Sequence, residues 1–371
     1  MDQRIEKLAA VMATYSLELK KGDWVKIIGN PVVMPLVKAF YKKAIEARAH
    51  PFYFAAVDEL QEIFLKHGSD EQLQYIPETI KLETENLDAV LGIMGQSNTK
   101  FLTNVDPSRQ ALAQSAQKDI MKRFLERSAQ GKLKWVGTMF PMQSAAQDAE
   151  MSLTEYEDFV YGAGHLDDDD PVLFWKKLSS RQEKICKFLD TLKEIQVKTK
   201  DTDLSLSVGG RKWINCDGKK NFPDGEVFTS PVEASVEGNI LFSYPACYGG
   251  REVENVQLEF RNGKVVEPKA SKNQSYLEQM ISMDKGASFV GEFAIGTNDN
   301  ITRFTKNILF DEKIGGTIHL ALGASIPETG GLNESALHWD MVCDLREGGE
   351  LYGDGKLIYK SGTFIDIDEI S

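Results

Sequence analysis

Two of the five histidines in this 371-residue chain occupy strand positions where an imidazole can do chemistry. In Thr317-Ile318-His319-Leu320-Ala321-Leu322, strand alternation sends Ile318, Leu320 and Leu322 to one face and leaves His319 between Thr317 and Ala321 on the other. Small neighbours leave room for something to bind the ring. In Leu337-His338-Trp339-Asp340-Met341 the same alternation puts His338 and Asp340 together, facing away from Leu337, Trp339 and Met341. An i, i+2 His/Asp pair can converge on one cation. Glu292 repeats the arrangement, lying beside Ala294 while Phe293 and Ile295 face a core. Glu226 opens the strand Glu226-Val227-Phe228-Thr229, and Glu312 follows Ile308-Leu309-Phe310 just before Gly315-Gly316. The other histidines have plainer readings: His50 and His67 at helix ends favoured by the helix dipole, and His165 in an acidic loop.

Carboxylates and imidazoles together supply the hard oxygen and borderline nitrogen donors that zinc, cobalt or manganese accept. Without thiolates, a structural zinc site is disfavoured. Three or more carboxylates with two histidines exceed the needs of one tetrahedral ion, which favours two ions sharing a carboxylate and a water. The chemistry expected of such a pair is hydrolysis. Two alternatives stay open at this point: a mononuclear non-haem iron oxygenase using His319, His338 and Asp340 as its triad, and a non-catalytic binding protein stapled by metal.

Two kinds of element must position these residues. Only 9 of the 30 glycines lie in the first 200 residues, and the remaining 21 crowd the turns of the last 171. In the first half, helical patterns at 3–20, 35–49, 58–68 and 107–130 alternate with apolar runs at 24–29, 51–57, 87–94 and 134–140. Further helical segments are expected near 151–160 and 172–197. That alternation predicts βαβ crossovers, hence a doubly wound parallel-sheet α/β domain over residues 1–200. It carries neither GxGxxG nor GxxxxGK[ST] and reads as scaffold. The run His165-Leu166-Asp167-Asp168-Asp169-Asp170 lacks the EF-hand alternation and reads as a solvated loop. Short strands between glycine turns then predict a β-rich, α+β metal-binding domain over residues 201–371.

Composition narrows the partners. The balance of 43 basic and 56 acidic residues, −13 overall, argues against a phosphate-neutralising nucleic-acid binder. Cys186, Cys216, Cys247 and Cys343 form no CxxC pair, so a reduced, cytoplasmic setting is expected. No stretch reaches the roughly 18 apolar residues of a membrane span, and the N-terminus has no signal-peptide pattern.

The segments PDGEVFTSPVEASVEG (223–238), GEFAIGTN (291–298), LFDEKIGGTIHLALG (309–323), PETGG (327–331) and HWD (338–340) closely resemble the M29 family of metallopeptidases, the aminopeptidase T and aminopeptidase S group, in order and spacing. The resemblance implies a homodimeric exopeptidase acting on peptides, with two divalent ions (zinc, cobalt or manganese) in its second domain. Carried over residue by residue, it assigns metal ligation to Glu226, Glu292, Glu312, His319, His338 and Asp340, with Glu292 bridging the ions. Glu328, inside the PETGG motif, is a candidate proton carrier, though its turn position also suits a solvated residue. One departure stands out. Family members commonly carry a tyrosine before this proline, and here the residue is Ile326, which can neither donate a hydrogen bond nor bind metal.

Overall fold

A computed structural model of the chain describes residues 2–365, and these fall into two compact units. The first runs to Val172 and includes Gly218–Pro223; the second comprises Leu173–Asp217 and the chain from Asp224 onward.

The first unit is built on a five-stranded sheet in the spatial order His50–Ala55, Trp24–Gly29, Ala89–Met94, Lys134–Met139 and Asn221–Phe222, with every pairing parallel. The helices between them start where the sequence offers caps. Asp2 accepts from the Arg4 amide at the start of Gln3–Val11, and Ser69/Gln72 and Ser152/Glu155 form capping boxes. The helical stretch expected at 107–130 is two helices, Pro107–Ala116 and Lys118–Ala129, meeting at Gln117.

The second unit, among the described residues, holds an antiparallel eight-stranded sheet and an antiparallel five-stranded sheet. Their apolar faces share one core, in which Val227, Phe293, Ile318, Leu320 and Trp339 of the smaller sheet join Val197, Leu204, Ile240, Leu258 and Leu351 of the larger. This is the alternation read from the sequence, with one face of each strand spent on the core.

The division differs from the expected 1–200 and 201–371. Helix Pro171–Leu189 ends eight residues earlier than expected, and Glu194–Lys198 is a strand. Tertiary pairing accounts for this. Ile195 and Val197 alternate into the second unit's core, and their strand pairs with Asp203–Ser207 on one side and Glu350–Gly353 on the other. Asp190 meanwhile accepts from the Trp213 amide at 2.8 Å, which marks the helix end. The return of Gly218–Pro223 to the first sheet had no signal in the sequence.

Candidate metal centre

The smaller sheet of the second unit runs His338–Asp344, Thr317–Gly323, Val290–Gly296, Glu226–Thr229, Ile214–Cys216. Register lines up its polar face in rows. Glu292 pairs with Ala321, which pairs with Asp340. One row along, Ala294 pairs with His319, and beyond it Gly296 pairs with Glu226. The two alanines, both fully buried, lie between the functional side chains.

A β-bulge makes this possible. Val290 pairs with Leu322 but Glu292 with Ala321, so Gly291 is an extra residue in its strand. Val290 and Phe293 both reach the core despite their odd spacing, and Glu292 and Ala294 emerge on the opposite face. Without the bulge, the carboxylate would share the core face with Val290.

The six expected residues come together as two triplets. Donor atoms of Glu226, Glu312 and His319 lie within 4.8 Å of one another, and so do those of Glu292, His338 and Asp340. Glu292 stands between the two. Its Oε1 lies 3.4 Å from His319 Nε2, and its Oε2 lies 3.4 Å from His338 Nε2. His319 Nε2 is also 3.6 Å from Glu226 Oε2, and His338 Nε2 is 3.5 Å from Asp340 Oδ1. His338 Nδ1 lies 3.0 Å from the Ala324 carbonyl; donation to it fixes the ring and frees Nε2 to face the carboxylates. His319 is fully buried, whereas the His338 side chain is 34% exposed and marks the open edge of the site.

The electrostatics are those of a cage built for cations. Burial pushes Glu226 up to about 8, against the pull of the Lys313 ammonium, and pushes Asp340 up to about 6. Burial also opposes charge on Glu292, yet hydrogen bonds from both imidazoles hold it down to about 2. The imidazoles respond in kind: burial disfavours their charged forms, but Glu292 and its neighbouring carboxylates draw His319 up to about 9 and His338 up to about 10. Glu226 Oε2 and Asp340 Oδ1 are buried without a hydrogen-bond partner. Orphaned carboxylate oxygens at such depth are costly unless a cation meets them. The donor set, all oxygen and imidazole nitrogen, fits a divalent metal.

Several residues around the site had no signal in the sequence. Lys313, the last residue of Asp311-Glu312-Lys313, is fully buried, with Nζ 3.4 Å from Glu226 Oε1 and paired with Glu312. Gln182 is buried in Pro171–Leu189, where its Nε2 lies 3.1 Å from the Glu226 carbonyl and 2.9 Å from that of Cys216, clamping the strand that carries Glu226. Its Oε1 accepts from Thr297 Oγ1 at 2.7 Å. Cys216, Asp224 and Glu226 form a third cluster that shares Glu226, but Lys313 already stands beside both of its carboxylates. Glu328 belongs to none of these groups. It is exposed in the turn Pro327–Thr329, lining a cavity of about 370 Å³ with Asp190, Arg211 and Lys212. Ile326 is half-buried, its amide donating to Ser230 Oγ at 3.2 Å.

Known proteins share this fold. The solved structure of wild-type AmpT from Thermus thermophilus superposes with a TM-score of 0.85 at 24% identity, covering 98% of this chain and 99% of that one, so the fold is the same. Among curated relatives, the chain is 26% identical to aminopeptidase AmpS of Bacillus subtilis (strain 168), over 98% of each. Aminopeptidase 2 of Geobacillus stearothermophilus is 25% identical, again over 98% of each chain, and aminopeptidase T of Thermus thermophilus 26%, over 97% of this chain and 96% of that one. The family model described as thermophilic metalloprotease (M29) matches residues 1–364, and the chain belongs to the M29 family.

Proposed function

We propose that this chain is an aminopeptidase whose catalytic centre is a pair of divalent metal sites on the polar face of the smaller sheet. The observation that carries the reading is Glu292, which offers one oxygen to the His319 side and the other to the His338 side, each at 3.4 Å. Glu226, Glu312 and His319 would hold one ion, His338 and Asp340 the other, and Glu292 would span them. When bound, the ions supply a water nucleophile active near neutral pH and polarise the scissile carbonyl. Zinc, cobalt and manganese all suit these donors.

The chain's own residues do the rest. His338 and Asp340 line the exposed edge by which a peptide enters, and the carboxylates there favour a protonated α-amino group over a blocked one. The core behind Phe293 and Leu320 keeps water to one side of the sheet. The iron-triad alternative needs His319, His338 and Asp340 around one ion, but His319 groups with Glu226 and Glu312 instead. Four free cysteines support a reducing, cytoplasmic setting. Assembly as a homodimer rests on the resemblance to the family, and no described helix is long and apolar enough to cross a membrane.

Metal content per chain, measured alongside hydrolysis of one peptide with a free and an N-acetylated amino terminus, tests the reading. Two ions and cleavage of the free peptide alone are expected. Comparable rates on both peptides would refute the exopeptidase assignment, one iron with oxygen uptake would favour the oxygenase, and metal without turnover would favour a staple.

A further inference from the structure

Lys313 is a buried charge in the site that the proposed chemistry does not use. Its side chain is 0% exposed, and an ammonium buried so deeply must be matched by anions. It is matched on three sides: it pairs with Glu312 Oε1, its Nζ lies 3.4 Å from Glu226 Oε1, and Asp224 Oδ1 is 4.0 Å away. The backbone holds it inward. The Lys313 amide donates to the Phe310 carbonyl at 3.0 Å, and its carbonyl accepts from Asn298 at 3.1 Å. The segment runs so close to the Val290–Gly296 strand that a Cβ on Gly296 would meet the Ile314 carbonyl oxygen at 2.2 Å. Lysine at this position cannot swing to solvent without unpacking that segment.

The oxygens of Glu226 divide their work. Oε1 faces the ammonium, while Oε2 faces His319 Nε2 at 3.6 Å and has no hydrogen-bond partner. The carboxylate therefore meets a permanent cation on one side and is open to an exchangeable one on the other.

We propose that Lys313 is a resident cation that stands in for metal charge in the Glu226–Glu312–His319 half of the site, keeping that half assembled when its ion is absent and weakening its hold on that ion when present. The proposal rests on the two-ion reading above. Asp224, Glu226 and Glu312 would repel one another in a metal-free protein without the ammonium, and an incoming dication is repelled by it.

Lys313→Met keeps the length of the side chain and removes its charge. Metal-free variant and wild type are compared by thermal melting, and each is then titrated calorimetrically with zinc and with manganese at fixed pH. The metal-free variant is expected to melt lower and to gain more from metal, with one binding step tightened by at least about tenfold and the other unchanged. Unchanged melting with unchanged steps overturns the proposal, as does weaker binding, which would make Lys313 only an orienting partner. If the variant does not fold, wild type decides: the ¹⁵N signal of the Lys313 ammonium, slow to exchange in the metal-free protein, should shift with one of two zinc equivalents. Insensitivity to both overturns the proposal. A single binding step in wild type refutes the two-ion reading instead, and the melting comparison and that one step still judge Lys313.

Discussion

Replacing Gly291 with alanine puts the bulge to the test. A Cβ at this position would lie 2.2 Å from the Ala324 carbonyl oxygen and 2.5 Å from both the Ala324 carbonyl carbon and the Gly323 oxygen. Methyl-to-oxygen contacts rarely close below about 3.2 Å, so roughly an ångström must be opened against backbone that is itself held. Gly323 donates to the Phe289 carbonyl at 2.8 Å, and Ala324 donates to that of Leu337 at 2.7 Å. Overpacking of side chains costs about 1–3 kcal/mol, and collision with fixed backbone belongs at or above the top of that range. The strand can escape only by losing its extra residue. That would carry the ionised Glu292 to the core face, at several kcal/mol for an unpaired buried charge. Gly291→Ala should therefore lose about 3 kcal/mol, shifting a urea midpoint down by about 1 M at an m-value of 2–3 kcal/mol/M. Surviving folded protein should bind fewer ions per chain, because the bridge no longer reaches both histidines. Urea denaturation followed by fluorescence, with elemental analysis of the folded fraction, measures both effects. A variant within about 0.5 kcal/mol of wild type and with full metal content would refute the claim that the bulge aims Glu292.

Three further outcomes follow from the same geometry. Glu292→Gln is close in shape and lacks the charge that both imidazoles face, so it should bind fewer than two ions and lose activity with its circular dichroism unchanged; retention of two ions and near wild-type turnover would remove Glu292 from the bridging position. Against the pull of burial, the facing carboxylates draw His319 up to about 9 and His338 up to about 10, so both imidazoles are largely protonated at pH 7 and would have to lose a proton to bind metal. Loading should then release protons, and affinity should rise as pH is raised from 7 toward 10 and fall on acidification; calorimetry in buffers of different ionisation enthalpy reads this, and a flat profile from pH 6 to 9 would contradict it. Ile326→Tyr should raise kcat by about 10²-fold with little change in KM if a phenol there supplies one hydrogen bond to transition-state charge, and a stable, metal-loaded variant of unchanged kcat would show the role is filled otherwise.

The fold was legible wherever one residue pattern answered to one environment. Strands such as Thr317–Gly323 announce themselves because alternate residues face a core and a site, two surroundings of opposite polarity. Boundaries were harder. The sequence near 190–198 has helical spacing and strand alternation at once, and only pairing with Asp203–Ser207 and Glu350–Gly353 decides for the strand. The crossing of Gly218–Pro223 to the first sheet depends on contacts far away in sequence, which local spacing does not encode.

The site shows the same division for an electrostatic reason. Its acceptors were legible because a carboxylate or imidazole on an apolar strand violates the pattern around it, as Glu292 does between Gly291 and Phe293. Lys313 violates nothing visible: in Asp311-Glu312-Lys313, two acids and a base read as an ordinary solvated turn. Its burial is dictated by what surrounds it in space. Asp224 and Glu226 from one segment and Glu312 from another converge, and three carboxylates beside one another demand positive charge. A bound metal would supply some of it and exchange; the ammonium is covalently present. A counter-charge is chosen by the sum of its neighbours and not by its own sequence context, so the partner of a legible acidic cluster must be sought among nearby lysines and arginines that look superficial.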